Sequence, residues 1–270
     1  MFNLFQITTE KELFNLLLYI FLLSSPIIAG ALFIVGSPYG SQTSYSGKLA
    51  LNGCLAWIVM ELVSPAALLL AYTYPLTPGQ FSQRTHTTDL FVILWVTHYI
   101  NRALIYPLRQ PSRKPMHVGI MLSACLFNLI NGYLNGRWLS VFSPPPTTTT
   151  TNINNHALLN PILGVCLFLC GMLGNIYHDE ILMRIRRNSQ NTRYAVPLGG
   201  GFALLSCPHF LCELVEWMGF AVATGSPAAW AFVLSVACNL VPRAMFIHRW
   251  YQDKFDNYPN NRKAIIPFLL

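Results

Sequence analysis

The stretch SCPHFLCELVEW, Ser206 to Trp217, places His209, Glu213 and Glu216 in a strongly apolar neighbourhood. Helical spacing puts the three at i, i+4 and i+7, so they share one side. Leu211, Leu214, Val215 and Met218 fill the other positions and can face lipid or core. A carboxylate at membrane depth costs about 2.5–3.5 kcal/mol by insertion scales, and such groups seldom persist without a buried partner. The rest of the sequence is read for those partners.

The class follows from composition. Of 270 residues, 53% are hydrophobic and only 10% charged, whereas a soluble domain carries about 25% charged residues. The expectation is an all-α, polytopic membrane protein, a seven-transmembrane-helix bundle embedded in a lipid bilayer. A formal charge of +7 could suggest nucleic acid. The basic residues instead cluster at the ends of apolar segments, which points to membrane topology and excludes a nucleic-acid partner. Cys54, Cys125, Cys166, Cys170 and Cys238 lie in apolar segments, where thiols pack as small hydrophobes, so neither disulfides nor a metal site are expected.

Apolar runs of about 20 residues, enough to span a bilayer, fall near 13–36, 50–72, 88–107, 117–135, 157–177, 202–224 and 228–247. The first follows Lys11 and Glu12, exceeds a signal-peptide core and lacks a clear cleavage site, so it is expected to be a retained span. Pro26 is expected to kink it. With seven spans, loops one, three and five share a side with the C-terminus. They and the tail hold Lys48, Arg109, Arg113, Lys114, Arg184, Arg186, Arg187, Arg193, Arg243, Arg249, Lys254, Arg262 and Lys263. The other side has Lys11, Arg84 and Arg137, with Arg102 inside a span. A cytoplasmic C-terminus is expected. Pro144–Pro146 and Thr147–Thr151 read as spacer. The amphipathic segment from His248 to Leu270 is too polar to span and reads as a cytoplasmic-face tail packed under the bundle.

Other polar groups interrupt the spans: Glu61, His98, Tyr99, Arg102, Asn128, Asn131, Asn175, Asp179, Asn239 and Arg243. Two readings compete. The groups pair and hold helices together, or they line a polar cavity open to the cytoplasm. Asn128, Asn131 and Asn239 suit the first, and the set as a whole suits the second. Lys114, Arg184, Arg186, Arg187, Arg243 and Arg249 would converge at one face. Guanidinium forks there match phosphates, although lipid headgroups would attract them too. Gly199-Gly200-Gly201 has no strand before it and no G-x-G-x-x-G spacing, so it reads as a turn that lets backbone approach a ligand. His209 and Glu213, or His178 and Asp179, offer one histidine where a zinc helix presents two, and no metal is expected.

Six strings, THYINRALIYPL (97–108), RKPM (113–116), NGYLNGRWLS (131–140), GMLGNIYHDEIL (171–182), ELVEWMGFAVAT (213–224) and WYQDKFDNYPNNRKAIIPFLL (250–270), carry a resemblance. In that order they resemble the steroid 5α-reductase family, the membrane 3-oxo-5α-steroid 4-dehydrogenases. The likeness covers about 170 residues and weakens before residue 88. It implies a monomeric endoplasmic-reticulum enzyme of seven transmembrane helices that uses NADPH to reduce a carbon–carbon double bond conjugated to a ketone. Residues 1–87 would contribute to the substrate pocket and 88–270 would form the catalytic region.

By the same resemblance, Glu61 and Tyr99 hydrogen-bond the ketone oxygen of a small-molecule steroid. Asn175, Asp179, Arg186, Glu213, Arg243 and Tyr251 fall at cofactor positions, with Lys114 near the phosphates. His209 joins that set where the vertebrate enzymes have asparagine. Met60 replaces their glutamine, and Ala195 and Ile247 replace polar residues of some animal members. These departures bear on substrate identity. A polyprenol or sterol-intermediate reductase is the nearest rival, and a membrane methyltransferase or a seven-helix receptor or transporter are remoter ones. The chemistry agrees with a reductase: hydride addition to an enone builds negative charge on its oxygen, and a donor aimed there lowers the barrier most in a dry site.

Overall fold

Apolar runs in lipid must satisfy their backbone within the segment, so they fold as helices. The computed structural model describes residues 9–35, 47–74, 84–111, 113–144, 155–188 and 195–270. The Pro/Thr spacer at 145–151 and Arg193 lie outside the described residues. In chain order come α1 (Glu10–Val35), β1 (Ala50–Leu51), α2 (Gly53–Thr73), α3 (His86–Tyr99) and α4 (Tyr106–Arg109). Then follow β2 (Met116–His117), α5 (Val118–Arg137), α6 (Asn155–Asn188), α7 (Pro208–Thr224) and α8 (Pro227–Lys254). A π-helical segment, Ile100–Ile105, joins α3 to α4, and another, Trp138–Phe142, extends α5. β1 and β2 form a two-stranded antiparallel pair.

The chain is thus an all-α polytopic membrane protein. Among the described residues, five helical stretches are long and apolar enough to cross a membrane: Glu10–Ile34, Gly53–Thr73, Val118–Phe142, Asn160–Arg187 and Pro227–Lys254. The remaining two expected spans coincide with α3, 14 residues, and α7, 17 residues. Both are short, and both carry the polar groups.

Sequence choices set the boundaries. Asn52 Oδ1 accepts the N–H groups of Cys54 and Leu55, each at 3.0 Å, and starts α2. Gly225, with φ of 59°, ends α7 in a left-handed cap. Helix α6 runs past the expected end at 177 to Asn188, because helix-favouring residues continue and the i, i+4 pair Glu180–Arg184 (3.1 Å) supports them. Helix α8 likewise extends beyond residue 247 to Lys254.

Small residues fix the packing. A Cβ on Gly171 of α6 would lie 2.4 Å from the backbone nitrogen of Glu216 on α7. One on Gly219 would lie 2.3 Å from Phe168 nitrogen. The α6–α7 seam is therefore backbone against backbone, as in other membrane helix pairs. Gly132 brings α5 equally close to α2, where a Cβ would meet Ser64 oxygen at 2.4 Å. Between these pairs lies an aromatic core. Trp95 packs against Trp217, Phe220 and Phe232 at centroid distances of 5.0, 5.1 and 5.5 Å.

The tail folds back on the segment before α7. Ser206 and Cys207 donate backbone bonds to Lys263 and Ala264 oxygens (2.8 and 3.0 Å), and Lys263 donates to Leu204 oxygen (2.9 Å). Ser206 Oγ stands between His248 Nδ1 (2.6 Å) and Tyr258 OH (2.5 Å), which locks tail, α8 and α7 together.

Candidate active site

The buried carboxylates of α7 find their partners on the rod that contains α3. His98 Nδ1 lies 2.7 Å from Glu216 Oε1, with side-chain exposures of 7% and 1%. One turn on, Arg102 lies in the π-helical segment, where Tyr106 N–H donates to Asn101 oxygen five residues back. Such insertions recur at functional sites because they re-aim side chains. Arg102 reaches two acids: Glu213 of α7 at 3.5 Å and Asp179 of α6 at 3.8 Å. Its guanidinium also sits 5.2 Å over the Trp57 ring and 5.1 Å over Tyr106. Trp57 Nε1 donates to Arg102 oxygen at 3.0 Å, so α2 holds the bend in place.

Helix α6 supplies the other wall. Asn175 Nδ2 donates to the His209 carbonyl at 2.9 Å and to Glu213 Oε2 at 3.4 Å. The α6–α7 seam thus presents Asn175, Asp179, Glu213 and Glu216 as one polar surface, all buried.

Tyr99 adjoins His98 and is 3% exposed. Its ring rests on Trp95 (5.6 Å) and Trp217 (6.2 Å). Glu61 and Ser64 of α2 both act electrostatically on its phenol. Glu61 in turn feels Arg102, His98, Glu213 and Arg113, which makes it part of the same electrostatic cluster. Tyr99 thus feels the charge of Glu61 across the α2–α3 interface.

The basic residues are divided. Arg186 acts electrostatically on Asp179, Tyr106, His209 and Tyr251, so it stands near the cluster. Arg243 lies 5.3 Å over the Phe210 ring and acts on His209 and Cys207. Tyr251 stacks on Tyr258 at 5.4 Å with the rings 5° apart. Lys114 contributes its backbone to the packing of Gly53. The guanidinium of its neighbour Arg113 lies 3.9 Å over Trp57 and 5.6 Å over Tyr106. Burial brings the Arg113 guanidinium down to about 10, since loss of water penalises its charge. It still carries its proton at neutral pH.

Sequence reading left several participants unassigned. Arg102 was visible only as a charge inside a span, and its two acids lie on other helices. The His98–Glu216 pair spans 118 residues of sequence. Arg262, 3% exposed, lies 5.3 Å over the Tyr258 ring and was counted only as a tail charge. Glu180 draws Arg109, Arg184 and Arg187 into an exposed network beside Arg186.

Among the described residues, the buried nitrogens with no hydrogen-bond partner include Arg113 Nη1, His209 Nδ1, and Nε and Nη1 of Arg262, besides Trp95 Nε1, Asn131 Nδ2 and Trp138 Nε1 in the helix packing. Buried donors of this kind carry a desolvation cost that a ligand oxygen removes. Orphaned guanidinium groups around an acid-and-amide surface fit a nucleotide that bears phosphates at one end and a carboxamide at the other.

Comparison with known proteins agrees with this geometry. The sequence profile described as 3-oxo-5-alpha-steroid 4-dehydrogenase matches residues 114–270. The chain is 35% identical to 3-oxo-5-alpha-steroid 4-dehydrogenase 1 of Bos taurus, over 97% of this chain and 98% of that one. It is 34% identical to steroid 5-alpha-reductase DET2 of Solanum lycopersicum, over 97% and 99%. With the Arabidopsis thaliana protein of the same name the identity is 33%, over 96% and 98%. A profile match over more than half the chain and near full-length relatives lead to one conclusion: this chain belongs to the 3-oxo-5-alpha-steroid 4-dehydrogenase family of oxidoreductases.

Proposed function

We propose that the protein reduces the C4–C5 double bond of a 3-oxo-Δ4-steroid to the 5α-steroid, with NADPH as the reductant. The observation that carries this reading is the buried Tyr99 phenol, within the electrostatic reach of Glu61 and of the ion cluster of Arg102, Asp179 and Glu213. Asn175 and Glu213 would hold the carboxamide end of the cofactor. Arg113, Arg186, Arg243 and Arg262 would hold its phosphates, and His209 and Tyr251 would border it. The reduced nicotinamide, when bound, supplies a hydride for the β-carbon of the enone. Tyr99 donates a hydrogen bond to the ketone oxygen as charge builds there, and Glu61, when protonated, supplies a second. The aromatic core keeps water out, which strengthens both interactions. Residues 1–87 would complete the apolar channel for the sterol body, which has few polar handles.

The test is incubation of purified protein with NADPH or NADH and a panel comprising testosterone, progesterone, a sterol-pathway ketone and a polyprenal, with products identified by mass spectrometry. A 5α-reduced steroid formed with NADPH supports the reading. Reduction of the polyprenal alone would replace the steroid, and no reduction at all would sink the reading. NADH is expected to serve poorly. Arg186→Ala should raise the KM for NADPH about tenfold, the loss of one charge-assisted phosphate contact, and leave the KM for steroid nearly unchanged. Equal use of NADH and NADPH by the wild type would argue against a 2′-phosphate contact.

The basic excess on one side supports a cytoplasmic C-terminus and a spacer in the lumen of the endoplasmic reticulum, on a seven-span topology. A cysteine replacing Thr149 should resist an impermeant thiol reagent in sealed microsomes until detergent is added. Labelling before detergent would reverse the orientation.

A further inference from the structure

His178 precedes Asp179 on α6, and both of its ring nitrogens are engaged. Nε2 accepts the backbone N–H of Gly201 at 2.9 Å. Because Nε2 accepts, the proton resides on Nδ1, which donates to the Gly174 carbonyl at 2.7 Å. The imidazole is 8% exposed, neutral and held in one tautomer. The glycine turn is moulded around it. A Cβ on Gly200 or Gly201 would stand 3.0 Å from Nε2, and Gly199 and Gly200 have φ of 95° and 51°. From α7, Cys212 Sγ approaches Nδ1 to 3.7 Å.

The contact continues toward the candidate site. Phe202, next after Gly201, meets the His178 ring edge-on at 5.6 Å and the His209 ring at 6.3 Å. His209 has its carbonyl on Asn175 and its Nδ1 buried without a hydrogen-bond partner among the described residues. A chain of contacts therefore runs from the imidazole through the glycine turn and Phe202 to His209. It bypasses Tyr99 and Glu61, which sit on α3 and α2.

We propose that His178 is a positioning residue: by accepting the Gly201 N–H it holds residues 199–203 in the shape that sets His209 against the nicotinamide cofactor, and so governs cofactor affinity. The proposal rests on the NADPH reading above. It predicts a defect in binding with chemistry spared.

Two variants separate the hydrogen bond from packing. His178→Phe keeps an aromatic ring against Phe202 and removes the acceptor, whereas His178→Gln can place an amide oxygen near the position of Nε2. Hydrogen–deuterium exchange of the peptide covering 198–204, measured without cofactor, should rise about tenfold in His178→Phe, the worth of one buried hydrogen bond. The KM for NADPH should rise by about the same factor while kcat at saturation stays within about twofold. His178→Gln should restore both. Unchanged exchange in His178→Phe overturns the proposal, as does an equal defect in the two variants, which would make the role one of ring packing. Wild-type protein that fails to use NADPH defeats the functional reading instead, and the exchange comparison still decides the latch.

Discussion

Tyr99→Phe is expected to lower turnover about 10²- to 10³-fold, the usual loss for one donor to a developing oxyanion. The ring is buried between Trp95, Trp217 and His98, so phenylalanine keeps the packing and only the hydroxyl goes. Glu61 acts electrostatically on that hydroxyl. Glu61→Gln retains a donor and should be milder than Glu61→Leu, an order that a purely structural glutamate would not produce. NADPH affinity should change little in all three, because the residues assigned to the cofactor lie on α6, α7, α8, the tail and, for Arg113, the segment between α4 and β2, and none is on α2 or α3. Steady-state kinetics under saturating NADPH, with product quantified by mass spectrometry, measures the effect. If Tyr99→Phe kept more than about half of the wild-type turnover, against the donor penalty expected here, the phenol would not polarise the ketone. His98 would be next in line, with Nδ1 already committed to Glu216.

The second large effect is expected at Arg102. Replacing it with leucine leaves Asp179 and Glu213 buried without their counter-ion, and an uncompensated buried charge costs about 3–5 kcal/mol. For a chain of this size that corresponds to a fall in Tm of roughly 10 °C or more. The cofactor surface would be lost as well, since Glu213 also holds Asn175. Arg102→Lys keeps a charge but not the planar fork that spans two acids, so it should fall between leucine and wild type. Adding Asp179→Asn and Glu213→Gln to Arg102→Leu should recover most of the stability and none of the NADPH binding. Detergent-solubilised melting curves with and without NADPH distinguish these outcomes. An Arg102→Leu protein melting within about 2 °C of wild type would mean that the two acids find other partners, because the expected shift is several times larger.

Long apolar runs were legible, since twenty residues without charge have few ways to hide backbone outside a helix. The acids at 213 and 216 announced a buried cluster for the same reason. Their partners were less legible, because one-dimensional spacing does not say which helix faces which. His98 and Arg102, four apart, diverge to different acids across a π-helical turn that no residue pattern marks. Lys114 and Arg113 are adjacent and equally basic in sequence. Only the rings of Trp57 and Tyr106 show where the Arg113 guanidinium lies. The ends of α6 and α8 were misplaced because hydropathy stops at the membrane while helix propensity continues. The grip of His178 on the glycine turn was invisible, since it depends on a backbone N–H that belongs to every non-proline residue.

The glycine contacts between α6 and α7 have a mechanical consequence. With backbone against backbone at Gly164, Gly171 and Gly219, the two helices have no side-chain cushion along which to slide. They form a single stiff plate that carries Asn175, Asp179, Glu213 and Glu216. Any breathing that admits or releases a ligand must therefore be taken up on the opposite jaw, by the rod from His86 to Arg109, through which His98 and Arg102 grip the plate. On that account the three contacts, His98–Glu216, Arg102–Asp179 and Arg102–Glu213, are the clasp of a jaw.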